Sequence, residues 1–124
     1  LKTKDFYPYP LQISRDRVTQ EDAQVTFLNN SHHVMNFPNK LTKDDFNNWV
    51  QERGLYFPNA WSEEYQPILS WNDFNEEPKK GSLLIAKYGK GYYTYTGISF
   101  FRQLPAGVSG AYKLLVNIIS LNND

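Results

Sequence analysis

Residues 88–120, YGKGYYTYTGISFFRQLPAGVSGAYKLLVNIIS, decide the fold. They read in order as hairpin, strand, ordered loop and closing helix. Ser82 to Tyr88 and Gly91 to Ile98 form two strands joined at Gly89-Lys90, where glycines supply the positive φ of a tight turn. Leu83 and Ile85 lie on one face of the first strand, Leu84 and Ala86 on the other, so this strand is buried on both sides. On its partner, Tyr93 and Tyr95 alternate with Tyr92, Thr94 and Thr96. After Phe100-Phe101, the segment RQLPAGVSG is a loop held by one proline and two glycines. From Ala111, the positions Tyr112, Leu115, Val116 and Ile119 draw one continuous apolar stripe, which predicts a helix ending in polar Asn-Asn-Asp.

Upstream, Leu41-Thr42-Lys43-Asp44-Asp45-Phe46 has the wording of a helix start. Thr42 and Asp45 can exchange hydrogen bonds as a capping box, with Leu41 and Phe46 at the staple positions. Phe46, Trp49 and Val50 then share a face, and Gly54 is a natural stop, so a helix is predicted between them. Gln24–Leu28, Leu55-Tyr56-Phe57 (ended by Pro58) and Pro67–Trp71 read as strands. Thr19 can cap a short turn through Asp22. The segment 72–80, NDFNEEPKK, reads as a surface loop. Tyr7-Pro8 and Tyr9-Pro10 push residues 1–17 into an extended, helix-free segment. The expectation is one α+β domain over residues 18–124, an α/β-like sandwich with a mixed, largely antiparallel sheet, a C-terminal hairpin and flanking helices.

The chain has 124 residues, enough for one core without staples. Thirteen basic and thirteen acidic residues cancel, so nucleic acid and anionic membrane are not expected partners. No apolar run approaches the roughly 18 to 20 residues of a membrane span. Cysteine is absent, which removes thiol nucleophiles, disulfides and thiolate metal sites. The opening LKTKDFYPYP, without methionine, leads us to expect a piece of a longer protein.

No segment declares a reaction. His32-His33 are the only histidines, and adjacent imidazoles without partners at longer spacing make no metal site, so a turn with one ring bonded to backbone is preferred. Asp44-Asp45 are explained by capping, and Glu63-Glu64 and Glu76-Glu77 by solvation. Tyr88-Gly-Lys-Gly-Tyr-Tyr lacks the Ser or Thr and the following helix of a phosphate loop. Gly107-Val108-Ser109-Gly110 has the wrong spacing for a nucleophile elbow. We therefore expect no catalytic residue, metal or cofactor. Trp49, Trp61, Tyr65 and Trp71 stand near polar Gln51, Glu52, Arg53 and Asp73, the mixture a sugar-binding surface uses. Arg102 can pair with a carboxylate such as Glu52 or point at an anionic ligand. If the chain touches a sugar, Trp49, Trp61, Tyr65 and Arg102 are the expected contacts. A small hydrolase using His33 with Asp44 or Asp45 ranks last.

The phrases NFPNKLTKDDFNNWVQERGLYFPNAW and GSLLIAKYGKGYYTYTGISFFRQLPAGVSGAYKLLVNIIS resemble the C-terminal region of large LmbE-like proteins of the PIG-L de-N-acetylase family. The resemblance runs from about Phe6 to Leu121. It implies that the zinc-dependent catalytic domain lies elsewhere, because the His-Pro-Asp-Asp-Glu type motif is not in this chain. That C-terminal region is in turn similar to the last part of flavodoxin-type, glutamine-amidotransferase-like domains such as the ThuA group. His33, Gly89-Lys90-Gly91 and the closing helix fit its order, while the amidotransferase cysteine is lacking. The resemblance thus implies a non-catalytic accessory domain that packs on its catalytic neighbour or presents an amino sugar or glycan. The alternative is a purely structural or oligomerisation module. A bacterial periplasmic or secreted location is implied only if the parent carries a signal peptide.

Overall fold

A computed structural model describes residues 9–19, 23–47, 49–50, 53–74 and 76–122. The elements run β1 (Leu11–Val18), β2 (Gln24–Phe27), 3-10 turns at His33–Met35 and Lys43–Phe46, β3 (Gly54–Trp61), β4 (Gln66–Pro67) and β5 (Leu69–Asn72). They close with β6 (Leu83–Tyr88), β7 (Gly91–Thr96), α1 (Phe100–Gln103), α2 (Ser109–Ile119) and a last 3-10 turn, Ser120–Asn122. This is a small α+β domain. Its strands form three antiparallel sheets, β1-β3, β2-β5 and β4-β6-β7, in place of the single mixed sheet expected.

The hairpin is as read: β6 and β7 pair from Leu83↔Thr96 to Tyr88↔Gly91, and Gly89 turns the chain at φ +60°. β6 is the partition of the domain. Leu83 and Ile85 enter the main core with Val18, Phe46, Trp49, Phe57 and Trp71, while Leu84 and Ala86 enter a second core with Leu11 and Tyr65. A strand buried on both faces needs apolar residues at consecutive positions, which Leu83–Ala86 supply.

Several local readings are corrected by tertiary contacts. The predicted helix after Thr42 stops at the turn Lys43–Phe46, for Asn47 is already extended (φ −78°, ψ 150°). The cap itself is present, with the Thr42 amide donating to Asp45 Oδ2 at 2.8 Å. Bending the chain there brings the Trp49 indole back to donate to the Asp45 carbonyl at 2.8 Å. It also lets Val50 meet Gln103, whose buried amide closes a two-bond bridge: Val50 N–H to Oε1 at 2.8 Å, and Nε2–H to the Val50 carbonyl at 2.9 Å. A side-chain amide here replaces a strand partner.

Pro58 does not end β3, which continues to Trp61 beside β1 with irregular register and Tyr56 at φ 56°. Such a bulge carries a proline because ladder bonds are already missing there. β1 lies largely within the segment read as extended, residues 1–17, while Tyr7-Pro8 falls outside the described residues. The Pro67–Trp71 strand is split between β4 and β5, so that Ile68 can donate to Leu83 and accept from Leu28. Thr19 binds the Asp73 carboxylate through its amide and hydroxyl, 3.1 Å each, and Asp22 lies outside the described residues. Asp73 is thus a buried anchor within an otherwise exposed loop.

α2 forms where the stripe predicts a helix, and its contacts decide which face is buried. The stripe Tyr112, Val116 and Ile119 faces outward, and the helix buries Gly110, Ala111, Leu114 and Asn117 instead. Two contacts decide this. Gly110 lies so close to the turn at Asp45 that a Cβ would come within 1.6 Å of its carbonyl oxygen. Asn117 donates to the carbonyls of Val34 (2.8 Å) and Asn39 (2.7 Å) and accepts from the Asn39 amide (3.0 Å). Close backbone approach and the three hydrogen bonds of the buried Asn117 outweigh turning a few aliphatic groups inward.

Candidate functional site

The sequence-selected aromatics are not gathered at one surface. Trp49 is 1% exposed, stacked on Phe46 at 5.2 Å and edge-on to Trp71 at 5.4 Å, inside the main core. Tyr65 is buried in the second core, its hydroxyl donating to the Tyr9 carbonyl at 2.9 Å. Trp61 packs half-buried against that second core. Arg102 is exposed, with its guanidinium 5.3 Å from the Phe101 ring. Gln51 and Glu52, the latter a carboxylate with which Arg102 was expected to pair, lie outside the described residues. Arg53, near these aromatics in sequence, is buried and donates to the carbonyls of Ala23 and Phe46, with its guanidinium 5.8 Å from the Trp71 ring.

Two other surfaces stand out. The first is the outer side of α2, where Ile119 is 60%, Tyr112 48% and Val116 44% exposed, with Phe101 of α1 at 67%. Tyr112 is pinned there by a bond from its hydroxyl to the Leu104 carbonyl at 2.9 Å. The one charged side chain of α2, Lys113, reaches Asp45 Oδ1 at 3.0 Å.

The second is a cleft of about 430 Å³ between the His32-His33 turn and the β4-β6-β7 sheet. Its floor follows from strand alternation: Lys87 lies opposite Tyr92, and Gln66 opposite Ile85. Glu64 stands at the entry to β4, and Tyr9 closes one end by donating its hydroxyl to the Lys87 carbonyl at 3.0 Å. On the opposite wall, His32 Nδ1 accepts the Val34 amide at 3.0 Å, the backbone-bonded imidazole expected of this turn. The His32 ring meets Tyr92 edge-on at 6.2 Å, and His33 stacks on Phe37 at 5.1 Å.

Burial, and secondarily the neighbouring His33, pull the His32 pKa below its ordinary value, so this imidazole is neutral at pH 7. With Nδ1 accepting, its proton resides on Nε2. Asp45 is shifted the other way from what its burial favours: the Thr42 amide and the Lys113 ammonium outweigh desolvation and hold its carboxyl below the usual range.

Among the described residues the cleft is lined by one carboxylate, one ammonium, an amide and two imidazoles, and neither Asp44 nor Asp45 borders it. Of the two acids considered for a His33 hydrolase, Asp45 is engaged in the turn at Lys43–Phe46, and Asp44 lies in the same turn. Among the described residues no three His, Asp or Glu side chains come together as a metal-binding group. No helix among them is long and apolar enough to cross a membrane. Tyr9, Glu64, Gln66, Lys87 and Tyr92 were not read as one site, and Glu64 was explained by solvation, because their positions are scattered and only the sheet brings them together. The signal that existed was alternation, which sets Lys87 on the same side of β6 as Leu83 and Ile85. No protein-family model, curated protein or solved structure matches this chain.

Proposed function

We propose that this chain is a non-catalytic accessory domain of an LmbE-like hydrolase, which packs on its catalytic neighbour through the outer face of α2. The observation that carries the reading is the outward stripe Tyr112–Val116–Ile119, extended by Phe101. Residues spaced i, i+4, i+7 form a continuous ridge along a helix, and apolar ridges left in water mark interaction surfaces. In this reading β6, β7 and α2 correspond to the final hairpin and helix of an amidotransferase-like domain, and the chain contributes surface instead of chemistry.

The test is calorimetric titration of this chain with the catalytic portion of its parent, using wild type and the double variant Val116→Lys, Ile119→Lys. Both positions are exposed, so the variant should unfold at the wild-type temperature. Its affinity should fall at least tenfold, since two ammonium groups must be desolvated on docking. Absence of a complex, or an unchanged affinity, rejects the reading. Wild-type dimers that the double variant dissociates would show instead that the face pairs with itself.

A further inference from the structure

We propose that the cleft between the His32-His33 turn and the β4-β6-β7 sheet binds a neutral saccharide of one or two pyranose rings. None of its lining residues belongs to the outer face of α2, so the proposal does not depend on docking there.

Size is the first argument. A volume of about 430 Å³ falls within the roughly 300–1,000 Å³ range of small-molecule sites. Charge is the second. Glu64 and Lys87 border the same cleft, so any ligand of one sign meets a repulsive as well as an attractive group. An uncharged ligand that both donates and accepts avoids that conflict. Hydroxyl-rich rings do both at every carbon, and vicinal hydroxyls match the paired atoms of a carboxylate or a carboxamide. The Gln66 carboxamide and the Glu64 carboxylate, one oxygen of which accepts from the Ser62 hydroxyl, both line the cleft.

The opposite wall supplies a donor of fixed identity. Because His32 Nδ1 is occupied by the Val34 amide, its only N–H is Nε2–H. Burial, and secondarily His33, favour the neutral form of this imidazole. Tyr92 adds an aromatic body with a polar tip, suited to the alternating CH and OH edges of a pyranose. The ring meets His32 edge-on at 6.2 Å, and its residue is held in β7 opposite Lys87. Among the described residues, neither the Gln66 carboxamide nor the Lys87 ammonium is tied into a hydrogen bond or ion pair, so both can turn to a ligand. The His32 Nδ1 lone pair, taken by the Val34 amide, is not available to a metal ion.

The experiment is a two-dimensional ¹H–¹⁵N NMR titration of the whole chain with chitobiose and cellobiose. Glucuronate and glucosamine serve as charged comparators, and glycerol as a non-specific polyol. The expected result is saturable movement of the Gln66, Lys87 and Tyr92 amides with at least one neutral disaccharide and none with glycerol. Gln66→Ala and Lys87→Ala, both on exposed side chains, should keep the folded spectrum and weaken binding about tenfold each. Two variants are used because Gln66 lies in the short β4, whereas Lys87 lies at the outer end of β6. Three results would overturn the proposal: no saturable movement in folded protein, tighter binding of a charged comparator than of either disaccharide, or binding indifferent to both substitutions. Each is read on the isolated chain and leaves the docking test untouched.

Discussion

Replacing Gly110 by alanine should destabilise this domain, although the same change in an exposed helix stabilises by about 1 kcal/mol. The new methyl would lie 1.6 Å from the Asp45 carbonyl oxygen and 2.5 Å from its carbon, both backbone atoms that cannot rotate away. Relief to an ordinary contact requires α2 to withdraw by roughly 2 Å. Withdrawal stretches the Asn117 bonds to Val34 and Asn39, now 2.8 and 2.7 Å, past useful length. Two weakened buried hydrogen bonds at about 1 kcal/mol each, with overpacking strain of about 1–3 kcal/mol, exceed the helix-propensity gain. The net loss is about 2–4 kcal/mol. Urea unfolding followed by tryptophan fluorescence is the assay, since Trp49 and Trp71 are buried beside this seam and report its opening. A midpoint for Gly110→Ala equal to or above wild type would refute the reasoning. The seating of α2 would then be wrong, and the outward placement of Tyr112, Val116 and Ile119 would fall with it.

Asn117→Leu keeps the volume but leaves the Val34 and Asn39 carbonyls and the Asn39 amide without partners. A loss of about 2–4 kcal/mol in urea unfolding is expected, and a loss below about 1 kcal/mol would show that these bonds do not anchor α2. Stability should also fall with acid in two separate windows. The folded pKa of His32 is depressed, so its contribution is complete above the unfolded value of about 6.5 and is lost as pH drops through the folded value. His32→Asn, which keeps an acceptor for the Val34 amide without titrating, should remove that part of the slope. Asp45 is likewise depressed, and its contribution is complete above about 3.9 and disappears at lower pH. Urea midpoints measured from pH 8 to 3 check both, and stability that rises as pH drops from 7 to 5 would contradict the His32 assignment.

Legibility in the sequence depended on how local each determinant was. The β6-β7 hairpin was readable because a two-residue turn and strict alternation are properties of adjacent residues. The Thr42–Asp45 cap and the backbone-bonded imidazole of the His32-His33 turn are equally local, and both are in place. The helix expected beyond Phe46 was not readable as a turn, since the groups that bend it, Gln103 and the Asp45 carbonyl taken by Trp49, include one more than fifty residues away. Trp49 and Tyr65 satisfied an aromatic-plus-polar pattern that a core satisfies just as well. Burial is a three-dimensional property, and it placed those two rings in separate cores.

By itself, then, the sequence determined an α+β chain with a C-terminal hairpin and closing helix, a cancelled net charge, and no cysteine chemistry. Tertiary structure decided which face of α2 is buried, because periodicity allows two apolar faces and only the approach of Gly110 to Asp45 and the bonds of Asn117 choose between them. It also decided where a ligand can sit. Tyr9, His32, Glu64 and Lys87 are far apart along the chain, and a cleft exists only once strand pairing has fixed which side chains share a face.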